Sequence, residues 1–118
     1  MTRGVILFGH GSRDPQWRAP MDAVADRVRA AGDAQVRCAF LELTEPDLPA
    51  VARELADAGC TEVAIVPLFL GAGRHAREDL PALAAAAQAA HPQVKFRLKP
   101  AVGEESRVLD LLAKIALE

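Results

Sequence analysis

Little in this chain suits a membrane, a redox pair or a nucleic acid. No apolar stretch reaches the roughly 18–20 residues that a membrane span needs. The opening MTRGVILFGHGS has neither the long apolar core nor the small-residue cleavage site of a secretory signal. A cytoplasmic location without membrane contact is therefore expected. The two cysteines, Cys38 and Cys60, are distant in sequence and form no CxxC pair. Cys38 falls in an apolar strand and Cys60 just after a helix-ending glycine, so both read as inert packing thiols. Lysine and arginine number 14 against 16 acidic residues, a net charge of −2. That balance exerts no overall pull on nucleic acid, and an acidic ligand would have to be held by a local group of arginines. Low-complexity linkers are missing, and neither HGSR nor FLGAGRH occurs twice, so the chain is not two fused copies of one unit.

What remains is an ordinary composition for one soluble domain spanning residues 1–118, with 51% hydrophobic and 25% charged residues. GVILFG at 4–9 is a continuous apolar run of the kind a strand covered on both faces shows. Met21, Val24, Ala25 and Val28 then recur at helical spacing up to Gly32. A second strand is predicted at 35–42, and TEPDLP opens a helix whose stripe is Leu48, Val51, Ala52 and Leu55, closed by Gly59. The third strand, EVAIVPLFL, contains Pro67, which cannot donate to a ladder and marks a strand end or distortion. GAGRHAREDLP leads into an alanine-rich helix with Pro81 expected in its first turn. A fourth strand at 93–99 precedes a helix with Glu104 and Glu105 at its positive end, its residues Val108, Leu111, Leu112 and Ile115 expected to face inward. Strand and helix alternate four times, with connections too long for hairpins. This predicts a doubly wound, mainly parallel four-stranded α/β sheet with helices on both faces.

Ligands of such sheets bind beyond the carboxyl ends of the strands, where loops and helix amino termini converge. His10 ends the first strand, Glu42 the second, and His75 closes the loop after the third. Neutral imidazole binds borderline divalent ions and carboxylate adds a harder ligand, so the three suit a partial coordination sphere with open positions. The same imidazoles titrate near neutral pH and can accept protons from a bound ligand. Gly71 and Gly73 would let the backbone approach a flat or bulky ligand. That loop lacks the later glycine of a dinucleotide fingerprint and the GK[ST] of a P-loop. Arg13, Arg74 and Arg77 flank the histidines and suit bidentate contact with carboxylates. Ser12 can bond a ligand or the local turn. With no GxSxG elbow, and with Ser12 following His10 so closely, a serine hydrolase is disfavoured. His91, before Pro92 at a helix end, is left out of the site.

GHGSR at 9–13, together with PLFLGAGRHAREDLP at 67–81, resembles the class II chelatases, most closely the small sirohydrochlorin cobaltochelatases. The resemblance covers essentially the whole chain. It implies ATP-independent insertion of Co(II), or in related members Fe(II) or Ni(II), into sirohydrochlorin on the way to cobalamin, siroheme or a nickel cofactor. No cofactor beyond the substrate ion is implied. The family's two motif histidines fall on His10 and His75 as metal ligands and catalytic groups, with His10 also the proton acceptor. Glu42 stands where related chelatases use a glutamate beside the metal. Substrate contacts fall on Leu70, Gly71, Ala72, Gly73 and Arg74, with Ser12, Arg13 and Glu45 completing the set. A basic residue would suit an acidic macrocycle better than Glu45, which leaves carboxylate recognition to the arginines. Small members imply a homodimer whose halves make the cleft. The rival from another class is a noncatalytic metal or tetrapyrrole carrier with the same fold and histidines.

Overall fold

The computed structural model describes residues 2–118. Strands β1 (Thr2–Gly9), β2 (Gln35–Phe40), β3 (Cys60–Pro67) and β4 (Lys95–Leu98) alternate with helices α1 (Ala19–Ala31), α2 (Leu48–Asp57), α3 (Arg74–Ala90) and α4 (Ser106–Leu117). A short 3-10 turn, Val102–Glu104, precedes α4. The strands form one all-parallel sheet in the order β2-β1-β3-β4. The doubly wound parallel fold expected from the alternation is the fold observed. Among the described residues no helix is long and apolar enough to cross a membrane.

Each half of the apolar pattern has a distinct place. Ile6, Phe8, Val63 and Ile65 point to the face covered by α2 and α3, where Leu48, Val51, Leu55 and Leu80 meet them. The α2 stripe is buried as its spacing predicts, and Asp47 caps that helix by accepting the Ala50 N–H at 3.0 Å. On the opposite face Leu7, Val36 and Phe40 pack with Met21 and Ala25 of α1. The edge strand β4 is tied to α3 by one side chain: Gln88 donates to the Val94 carbonyl at 2.6 Å and accepts the Phe96 N–H at 3.0 Å.

Three expectations change. Strand β2 stops at Phe40, so Glu42 lies in the loop beyond it, not at its last residue. Pro81 is not in the first turn of α3. Gly73, with extended φ −67° and ψ 168°, already caps the helix, and Pro81 falls in its interior. A proline there removes one helical bond at a cost of about 3 kcal/mol relative to alanine in an isolated helix. It is tolerated because Ala76, Leu80 and Ala87 anchor the helix to the core on both sides of it. Third, the α4 stripe does not face inward. No residue of α4 is buried, and Leu111, Leu112 and Ile115 are 57%, 41% and 56% exposed. Its periodicity is real, but its apolar face meets no layer of this chain.

Both thiols are free, Cys60 buried and Cys38 half-buried. Burial raises both thiols above the ordinary range, and at Cys38 the neighbouring Asp22 carboxylate adds to the rise. Since the thiolate is the reactive form, both are expected to alkylate slowly in the native protein and quickly in denaturant, which mass-spectrometric timing of iodoacetamide labelling checks. Replacing the fully buried Leu55 by alanine is expected to cost about 2–5 kcal/mol in urea unfolding.

Candidate active site

The site grows from the end of β1, where the segments leaving β2 and β3 continue to bond it. Leu68 donates its N–H to the Phe8 carbonyl at 2.8 Å, Leu41 to Gly9 at 2.9 Å and Glu42 to His10 at 3.0 Å. The backbone that presents His10 is therefore bonded to the segments following β2 and β3. The half-buried His10 ring lies over Phe69, with centroids 4.4 Å apart and planes tilted by 34°. Phe69 is 3% exposed and held in the core, so it gives the imidazole a fixed floor.

The next residues lock this loop to the one after β2. Gly11 has φ +101°, and a β-carbon there would sit 1.6 Å from the Glu42 carbonyl oxygen. Only glycine satisfies both the backbone angle and the contact. Ser12 donates its N–H to Thr44 Oγ1 at 3.0 Å, and the Thr44 hydroxyl donates to the Ser12 carbonyl at 2.8 Å. The Ser12 hydroxyl accepts the Asp14 N–H at 3.1 Å, which is the local-turn role. Between these bonds Leu43 is exposed at φ 62°, a left-handed conformation uncommon for a residue with a side chain. Glu42 and Glu45 are exposed on the same loop, and the Glu45–Pro46 peptide is cis.

On the other side of His10, Leu70, Gly71 and Gly73 are exposed and Ala72 is half-buried. A β-carbon at Gly71 or Gly73 would meet no atom within 4 Å. Packing within the chain therefore does not require these glycines, and their backbone is open to whatever lies outside. The root of the loop is firm: Gly103 donates its N–H to the Phe69 carbonyl at 3.0 Å, and a β-carbon on Gly103 would sit 1.6 Å from the Leu70 carbonyl oxygen. His75 is exposed at the second residue of α3. Arg74 pairs with Glu78 at 3.2 Å in the open, an interaction of small worth. Arg13 and Arg77 are exposed, and among the described residues no carboxylate pairs with them. Two surface grooves flank the edge, one bordered by Leu70, Ala72, Arg77 and Lys99, the other by Glu42, Leu43, Glu45 and Asp47.

His10, Glu42 and His75 thus sit on the loops and helix start at the carboxyl end of adjacent strands. They are not gathered into a ready coordination sphere: among the described residues no three His, Cys, Asp or Glu side chains stand together to hold a metal. Phe69 and Thr44 carry structural roles in the site that sequence reasoning passed over. Neither had a signal in the sequence: Phe69 comes beside His10 only through the β1–β3 register that pairs Phe8 with Pro67, and the bonds of Thr44 cross 32 residues.

A sequence model of the CbiX family matches residues 4–118. Among named relatives, sirohydrochlorin cobaltochelatase of Methanothermobacter thermautotrophicus is 36% identical over 66% of this chain and 54% of its own length. That of Sulfurisphaera tokodaii is 28% identical over 92% of this chain and 87% of its own. The chain spans little more than half the length of the first of these. A crystal structure of a CbiX protein of cobalamin (vitamin B12) biosynthesis from Marinobacter aquaeolei VT8 superposes with a TM-score of 0.83 at 31% identity, covering 97% of this chain and 93% of that one. The sirohydrochlorin chelatase SirB of Bacillus subtilis subspecies spizizenii, in complex with cobalt, superposes with a TM-score of 0.80 at 27% identity, covering 97% of this chain and 49% of that one.

Gly11→Ala is expected to break the bond between Glu42 and His10 and to lower stability by more than the ~1 kcal/mol that a glycine replacement gains at a compatible backbone angle. Thermal unfolding measures the loss, and movement of the His10 ring resonances in NMR spectra locates it. Thr44→Val removes both bonds to Ser12 and is expected to cost about 1–3 kcal/mol with smaller ring shifts.

Proposed function

The chain belongs to the CbiX family, and we propose that it is an ATP-independent chelatase inserting Co(II), or Fe(II), into sirohydrochlorin. The observation that carries this reading is the His10 imidazole seated on Phe69 at the mouth of the central strand, with His75 at the start of the helix following the next strand. The cobalt held by SirB, a relative of the same fold, supports a transition-metal ion as substrate.

Metal insertion exchanges two ring N–H protons for one divalent cation, so the protein must receive protons and release an ion in one place. His10 suits the proton-accepting part: its ring is fixed, one face lies against Phe69, and the residue remains accessible. In this reading His10 and His75 are metal ligands with Glu42 assisting, and the ring nitrogens of the macrocycle supply the remaining donors. This accounts for a site in which, among the described residues, no three protein ligands stand together. A sphere completed by protein alone would hold the ion too well to pass it on. Leu70, Gly71, Ala72 and Gly73 present the open backbone against which a flat ring lies. Arg13 and Arg74, with Arg77 behind them, take peripheral carboxylates, and Ser12 and Glu45 border the same rim.

The unit is residues 1–118 as one chelatase-like domain in the cytoplasm, acting as a homodimer. Two exposed edges facing one another enclose a macrocycle that the open edge of one chain leaves half in solvent.

An absorbance assay with sirohydrochlorin and Co(II) tests the reading. Catalytic turnover is expected, and His10→Ala is expected to lower its rate by about 100-fold or more, with His75→Ala also impaired. A His10→Ala protein working at the parental rate removes the mechanism. Stoichiometric binding without turnover makes the protein a carrier.

A further inference from the structure

The turn Glu42–Leu43–Thr44 carries a strain that nothing inside this chain offsets. The Thr44 N–H donates to the Glu42 carbonyl at 2.7 Å, a bond that spans one residue, and that residue is Leu43 at φ 62°. A three-residue turn with positive φ at its centre is the rare and strained form of the γ-turn, and glycine takes such a φ at no steric cost. Burial is the ordinary reason for a leucine. Here the side chain is 57% exposed and packs against neither half of the core. Backbone strain held in place by its surroundings concentrates where a protein grips a ligand.

The surroundings hold this turn from both sides, and each side ties it to the loop of His10. Ahead of Leu43, Glu42 donates its N–H to the His10 carbonyl and sets its own carbonyl against Gly11. Behind it, Thr44 exchanges two bonds with Ser12. The leucine at the apex is thereby fixed relative to the backbone that presents the imidazole.

A counterpart stands across the rim. Among the described residues, the exposed large apolar side chains lie on α4, on α1 or directly ahead of it, and at two other positions, Leu43 and Leu70. Leu70 is 68% exposed on the loop after β3, whose root Gly103 braces. With β1 lying between β2 and β3, the His10 loop rises between the two leucines. Past Leu43 the rim turns acidic, where Glu45 and Asp47 border the groove that Leu43 also lines.

We propose that Leu43 is a substrate-contact residue, whose side chain seats an apolar face of the macrocycle on the β2 side of His10, across from Leu70. A flat conjugated ring with peripheral carboxylates offers apolar surface to both leucines and is repelled by Glu45 and Asp47 through like charge. Leu43 is therefore the last apolar support the ring meets in that direction, and it limits how far the ring slides past the imidazole. Covering the side chain removes its apolar surface from water, a gain realised only in the complex. The inference rests on the chelatase reading above and adds to it a residue to which neither the motif histidines nor the glycine loop points.

Leu43→Gly tests it, because glycine removes the side chain and the strain together. The variant is expected to melt about 3 °C above the parent. It is also expected to bind metal-free sirohydrochlorin at least about 10-fold more weakly, followed by quenching of the single tryptophan, Trp17. In turnover the loss is expected in KM and not in kcat. Leu43→Met, which restores an apolar side chain of similar volume, is expected to recover most of the affinity. A glycine variant that melts below the parent makes Leu43 a structural residue, and one that binds the macrocycle as tightly as the parent leaves it without a role; either result overturns the assignment. Failure here is separable from failure of the chelatase reading. A parent that inserts cobalt with a KM indifferent to the substitution sinks only the assignment, whereas one that binds the macrocycle through Leu43 without turnover sinks only the chemistry. A parent that binds no sirohydrochlorin overturns both.

Discussion

Parallel pairing of β1 with a neighbour on each side is the constraint on which this molecule turns. A strand bonded on both edges cannot shift along its axis without breaking two ladders at once. Because all the strands run the same way, the segments leaving their carboxyl ends must emerge along one rim. The loop after β1 therefore rises between the loops after β2 and β3. Residues remote in sequence become neighbours because hydrogen-bond geometry allows their loops no other exit.

The rim is built unevenly in stiffness. Toward β2 the backbone is locked, with Gly11 against the Glu42 carbonyl and Ser12 and Thr44 exchanging bonds. Toward β3 only the root is braced, at Phe69 and Leu70, while Gly71 and Gly73 have open space where side chains would stand. The rim thus sets an imidazole held on its aromatic floor beside a loop whose glycines leave its backbone open. The pairing of His10 with Phe69 links this division to the core, since the same aromatic ring also packs edge-on against Phe8 of β1 at 6.1 Å.

The turn at Val102–Glu104 joins the rim to helix α4. Gly103 braces the root of the loop that runs from Leu70 to Gly73 and also stands at the turn that leads into α4. One turn thus serves both the geometry of the rim and the presentation of the apolar helix.

The linear pattern alone determined the fold class, the number of strands, the buried stripe of α2, and the rim on which His10 and His75 lie. These follow from short-range periodicity, which reports burial directly, and from the rule that parallel strands discharge their loops on one side. Periodicity could not say what buries a stripe: α4 has a faultless inward-facing pattern and no inside in its own chain to face. Local propensity misplaced Pro81, because a helix start depends on the preceding backbone and on tertiary anchorage as much as on proline's preference for first turns. The clamp from Ser12 to Thr44 and the floor beneath His10 were decided by the tertiary structure, since each joins segments whose proximity exists only once register and twist have brought the strands together.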